Sequence, residues 1–156
     1  MKKYKWMILF TVIVAISGII LMKNITKTNT GSSTEKYETL EAKVNHFEKS
    51  SKIKIVMYST ETDCCPDLEK FYNNYNYKST NLLKEYNGKI EGLLINKKSL
   101  NESDLKTAAT YEKKYNIKVL PTLIIFDYKN IERVRIVGDY QASEVKNTLE
   151  RMLSEI

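Results

Sequence analysis

Cysteine and histidine are scarce in this sequence. Its 156 residues hold two cysteines, Cys64 and Cys65, adjacent to each other, and one histidine, His46. A closed zinc site needs four nitrogen or sulfur ligands, so two thiols with no clustered histidine exclude one. No metal and no cofactor is expected. A structural disulfide is also a poor fit. A trans peptide holds neighbouring Cα atoms about 3.8 Å apart, whereas ordinary bridges want about 4.4–6.8 Å. No internal repeat is present. A basic face is missing too, although the net charge is +6. Residues 1–35 hold five Lys and one Glu, leaving 20 Lys/Arg against 18 Asp/Glu beyond them. Most of the excess therefore lies at the N-terminus, and nucleic acid is not an expected partner.

That N-terminus has its own logic. Lys2, Lys3 and Lys5 precede an uncharged run, Trp6 to Met22. Seventeen apolar or small residues lie at the short end of what spans a bilayer. The flanking lysines orient a cytoplasmic tip (1–5) and an anchor (6–22), with the remainder outside the cell membrane. A cleaved signal peptide is the alternative, but the run ends in "SGIILMKN" without a small-residue cleavage site. Residues 23–35, rich in Thr, Ser, Asn and Lys, read as a flexible linker.

From residue 36 to 156 the pattern is periodic. Leu40, Val44 and Phe47 mark one helical face, and "KIKIVMYS" (52–59) is strand-like. Pro66 opens a second helix with Leu68, Phe71, Tyr72 and Tyr75 inward. "IEGLLIN" (90–96) is a strand, and a third helix turns Leu105, Ala108, Tyr111 and Tyr115 inward. "TLIIFDY" (122–128) and "IERVRIVG" (131–138) form a hairpin across "YKN", before a last helix using Val145, Leu149, Met152 and Ile156. Lys97-Lys98 and Lys113-Lys114 read as solvated faces. The order α-β-α-β-α-β-β-α implies an α/β sandwich with a mixed sheet.

The segment Tyr115 to Gly138 resembles the part of thioredoxins that ends a helix, enters a cis-proline loop and forms the closing hairpin. Leu120-Pro121-Thr122 matches the cis-proline element, and "KIKIVMYSTETDCCPDLEKF" is similar to the central strand and redox loop. The resemblance covers residues 36–156. It implies a thioredoxin-like three-layer sandwich, a mixed sheet flanked by helices, behind the N-terminal transmembrane helix. The anchor and the loop look most like membrane-anchored bacterial bacteriocin-accessory proteins, whose loop runs T-C-P-D-C-x-K-F. Here Leu68 stands in place of the second cysteine. Val56 lies near where thioredoxins carry a buried acid.

The resemblance implies Cys65 as nucleophile, Cys64 as an auxiliary thiol, and Pro66, Leu120, Pro121 and Thr122 as the substrate edge. The mouth of a helix favours a thiolate, while Glu61, Asp63 and Asp67 oppose it. No Lys or Arg lies between Glu61 and Glu69. One thiol can still form a mixed disulfide that an external thiol releases. Two readings stay open. One is thiol–disulfide exchange on secreted proteins or peptides, with a membrane redox or export partner. The other is a redox-inactive module in which Leu68 is a buried replacement, Cys64 a filler facing the strand, and a peptide docks by strand addition.

Overall fold

The structure, a computed structural model, describes residues 39–156. The expected tip (1–5), anchor (6–22) and linker (23–35), with the first residues of the expected domain, lie outside the described residues. Among the described residues no helix is long and apolar enough to cross a membrane.

Helix α1, Leu40–Lys49, begins where the Thr39 side chain accepts a hydrogen bond from the Ala42 amide. That bond satisfies one of the amides a helix start leaves unpaired. Leu40, Val44 and Phe47 are its buried face. Strand β1, Lys54–Ser59, is buried along its whole length. Helix α2, Pro66–Glu85, leads to strand β2, Glu91–Asn96. A short 3-10 turn, Lys97–Ser99, precedes helix α3, Glu102–Lys114, whose cap is Asn101 bonded to the Asp104 amide at 2.9 Å. Strands β3, Thr122–Phe126, and β4, Glu132–Val137, form the hairpin, and helix α4 covers Ala142–Ser154.

The four strands form one mixed sheet in the order β2-β1-β3-β4. β1 runs parallel to β2 and antiparallel to β3, and β3 pairs antiparallel with β4. Because alternate strand residues face opposite sides, the core divides in two. Val56, Tyr58, Ile124 and Phe126 pack with Leu40, Phe47, Ala108 and Tyr111 of α1 and α3. Ile55, Met57, Leu123 and Ile125 pack with Tyr75, Leu82, Val145 and Leu149 of α2 and α4. The result is three layers with β1 and β3 central.

Two polar residues inside this core have clear partners. Lys54, 1 % exposed, donates its Nζ to the Glu48 carbonyl at 2.8 Å, capping the negative end of α1. Burial lowers its pKa, against the opposing pull of Glu48 and Glu91. Asp127 anchors the hairpin turn, accepting from the Lys129 and Ile131 amides and from Arg133. Asn130 takes the left-handed conformation at φ 63° that this turn requires.

Three expected inward residues point out. Leu68 is 45 % exposed, Leu105 39 % and Ile156 74 %. Ile156 lies beyond the end of α4. Leu68 belongs to a helical turn, residues 66–70, that is exposed on every side; burial of α2 begins only further along, at Tyr75. The helix lies where the spacing predicts it, but its first turn buries no residue.

Candidate functional site

The segment between β1 and α2 carries both cysteines, and it is held by side chains from three elements. The Ser59 hydroxyl donates to the Asn76 side chain of α2, and Asn76 Nδ2 donates to the Thr60 carbonyl at 3.3 Å. Asn96, at the end of β2, donates to Glu61 Oε1 at 2.5 Å. Lys98 pairs with Asp63. Behind this strap lies a cleft of about 490 Å³ lined in part by Glu61, Asn76, Asn96 and Asp104.

No Lys or Arg lies between Glu61 and Glu69, yet Lys98 reaches Asp63 across 35 positions and offsets its charge. The lysine pairs lie on the solvated surface as expected, and three of the four form ion pairs there. Lys97 pairs with Glu112 at 2.8 Å, and Lys114 pairs with Glu48 at 2.5 Å.

Cys64 and Cys65 are both free thiols and both exposed. Cys64 is therefore not a filler against the strand. Their Sγ atoms stand 3.6 Å apart. Cys65 occupies the N-cap of α2 in extended conformation, φ −160°, with Pro66 following as the first helical residue. Its carbonyl accepts the first helical bond, from the Glu69 amide, but its side chain caps no amide. The Cys64 amide donates to Thr62 Oγ1 at 3.2 Å. This short turn sets the Thr62 hydroxyl beside Cys64. Hydrogen bonding with the Thr62 side chain and then with Cys65 lowers the Cys64 pKa below the ordinary thiol value. Neither Thr62 nor Lys98 stood out in the sequence. A threonine two residues before a cysteine is too common to signal, and Lys98 is far away in chain order.

The other half of the site is the turn before β3. The Leu120–Pro121 peptide is cis. Pro121 and Thr122 are buried, Leu120 is half-buried against the α1–α3 side of the core, and Val119 beside it is 55 % exposed. The Pro121 carbonyl accepts from the Gly138 amide at 2.8 Å, where Gly138 sits at φ 92°. Thr122 Oγ1 donates to the Val119 carbonyl at 2.6 Å. The tie between the two halves is Tyr72 of α2, whose hydroxyl donates to the Leu120 carbonyl at 3.3 Å. Tyr72 was expected only as an inward residue of α2.

A buried central strand, a parallel β1-α2-β2 crossover, a closing hairpin and a cis-proline turn tied to the thiol-bearing helix are now in place. The fold is that of thioredoxin. Chloroplastic thioredoxin z is similar over 74 % of this chain and 91 % of its own, at 15 % identity and a TM-score of 0.52. The pneumococcal exposed lipoprotein thioredoxin of Streptococcus pneumoniae matches over 69 % of this chain and 89 % of its own, at 12 % identity and 0.52. The DsbH oxidoreductase matches over 81 % and 93 %, at 12 % identity and 0.50. No family model and no curated protein matches the sequence. Identities this low carry the thioredoxin fold and nothing beyond it.

Within that fold the site departs from a paired redox loop. Val56 is fully buried in the centre of β1, so no carboxylate stands at that position to relay protons. Leu68 brings an apolar side chain to the surface where the resemblance places a second thiol. The chemistry available is that of two neighbouring exposed thiols, one with hydrogen bonds that favour its thiolate.

Proposed function

We propose that this chain is a membrane-anchored, extracytoplasmic thioredoxin-fold protein that exchanges thiols with disulfides of secreted proteins or peptides, in the manner of a bacteriocin accessory. The observation that carries this reading is the pair of free, exposed thiols 3.6 Å apart at the mouth of α2. The same helix is tied to the cis-proline turn through Tyr72. The likeness to the DsbH oxidoreductase and to thioredoxins supports it in kind.

The reaction needs no cofactor. A thiolate attacks a substrate disulfide, one half of the substrate leaves as a thiolate, and the other half stays as a mixed disulfide. An external thiol then releases it. Of the expected substrate edge, Pro66 is exposed and Leu120 half-buried, while Pro121 and Thr122 are buried and can offer a substrate only the shape of the turn; exposed Val119 adds apolar surface next to Leu120.

A second reading draws on that same apolar surface. Exposed Leu68 and Val119 suit a peptide-binding module that performs no exchange. Full-length protein in a bacterial host separates the two. The exchange reading expects secreted thiol proteins captured as reducible adducts, and their loss in the Cys64→Ser/Cys65→Ser double variant. Capture of the same partners by the double variant, without adducts, favours the binding module. The anchor is checked on the same cells. The chain should resist alkaline extraction from membranes, and protease added outside should remove the folded domain. Extraction as a free protein, or a mature N-terminus beyond Met22, refutes the anchor.

A further inference from the structure

The thiol-exchange reading leaves open which sulfur attacks and what ends the reaction, and the geometry around Thr62 addresses both. We infer that Cys64, not the helix-capping Cys65, is the attacking sulfur, that Thr62 positions it, and that the mixed disulfide it forms waits for an external thiol. This rests on the exchange reading and gives the site its regulation: turnover is set by the supply of small thiols outside the protein.

Three observations converge on Cys64. Its backbone is held by the Thr62 hydroxyl at 3.2 Å, so the residue is fixed while its sulfur remains exposed. Its sulfur has two hydrogen-bonding neighbours, the Thr62 hydroxyl and the Cys65 sulfur 3.6 Å away, in keeping with its lowered pKa. Cys65 sits at the helix N-cap, yet its side chain makes no bond to the helix amides. The charged groups around the pair are Glu61, Asp63, Asp67 and Glu69 on the loop and first turn, and Lys98 from the connection after β2. Lys98 pairs with Asp63, the carboxylate next to Cys64 in sequence, whereas Asp67 and Glu69 follow Cys65 on α2.

The chemistry balances without an internal resolving thiol. The Cys64 thiolate attacks one sulfur of the substrate disulfide; the new bond joins Cys64 to that sulfur, and the other half leaves as a thiolate that takes a proton from Cys65 or water. Cys65 is close enough to share a proton. It is badly placed to displace the substrate, because a vicinal bridge must span Cα atoms about 3.8 Å apart, below the about 4.4 Å that ordinary disulfides need. A small thiol then attacks the substrate sulfur, takes it as a new disulfide and returns Cys64 as a thiolate.

The test uses full-length protein and one equivalent of 5,5′-dithiobis(2-nitrobenzoate). The expected result is one released nitrothiolate per reagent and one adduct, mapped to Cys64 and stable until a small thiol is added. Two released nitrothiolates with no adduct means that Cys65 closes the pair, and overturns the inference. An adduct on Cys65 also overturns it while leaving the exchange reading intact. If neither thiol outpaces an unfolded peptide of the same loop, both fall. The role of Thr62 has its own readout, the pH profile of alkylation. Thr62→Val should move the Cys64 midpoint upward, and Thr62→Ser should restore it. An unmoved midpoint in Thr62→Val removes Thr62 from the site.

Discussion

At the residue scale, the informative position is Leu68. Helical spacing assigned it to the buried face with Phe71, Tyr72 and Tyr75, which made it look like a packed replacement for a cysteine. It is 45 % exposed instead, on a helical turn whose residues are all exposed. Substitutions at such surface positions usually change stability by within about 0.5 kcal/mol. Leu68→Cys should therefore fold normally and restore a C-x-x-C pair with Cys65, since residues three apart share one side of a helix. We expect it to form an intrachain disulfide and to reduce a disulfide substrate over repeated turnovers. A Leu68→Cys variant that stays a dithiol under oxidising conditions means that Cys65 and position 68 do not face each other.

The same scale shows what chain order conceals. The loop looked uniformly acidic because no Lys or Arg lies between Glu61 and Glu69. Lys98 answers Asp63 from another element, and Tyr72 spends its hydroxyl on Leu120. Both are long-range contacts that no local pattern encodes. By contrast, Pro66 at the start of α2 and Pro121 before β3 were legible, because proline restricts its own backbone and that of the residue before it.

At the element scale, the strands and helices follow from periodicity almost everywhere. Within β1 the pleat sends Ile55 and Met57 to one side and Val56 and Tyr58 to the other, and the two cores divide accordingly. What periodicity could not supply is the edge of the sheet. β2 lies at an edge, and Gly92 within it faces Leu83 of α2 so closely that an added Cβ would stand 2.5 Å from Leu83 Cδ2. This glycine keeps a helix and a strand in contact rather than serving a turn. Gly92→Ala must push aside the end of a half-buried leucine, an overpacking cost of about 1 kcal/mol, at the low end for core insertions. We expect a fall of a few degrees in the melting temperature, recovered in a Gly92→Ala/Leu83→Val double variant. Additive losses in the double variant mean that the two residues do not compete for space.

At the scale of the whole molecule, the core is unusually phenolic. Tyr58, Tyr75, Tyr86, Tyr111 and Tyr140 are all buried. Burial raises the pKa of each from the ordinary 10.0, that of Tyr86 to about 12 with help from Glu150. A folded-state pKa above the unfolded value contributes stability that is complete below the unfolded pKa and is lost as pH rises through the folded one. The domain should therefore keep a level phenol contribution up to about pH 10. Above that it should lose stability steeply. Tyrosinate absorbance of the buried phenols should rise together with loss of circular dichroism. Ionisation of all five near pH 10 in a still-folded domain would contradict the burial described here.

At this scale the molecule is a thioredoxin fold with two adjacent exposed thiols at the mouth of α2 and a leucine at position 68. The most direct measurement is steady-state reduction of a disulfide-bearing peptide by full-length protein with a small thiol as reductant. The wild type should turn over at a rate that rises with thiol concentration, and the Cys64→Ser/Cys65→Ser variant should fall to the background of thiol alone. Equal rates for the two proteins would contradict thiol exchange at this site.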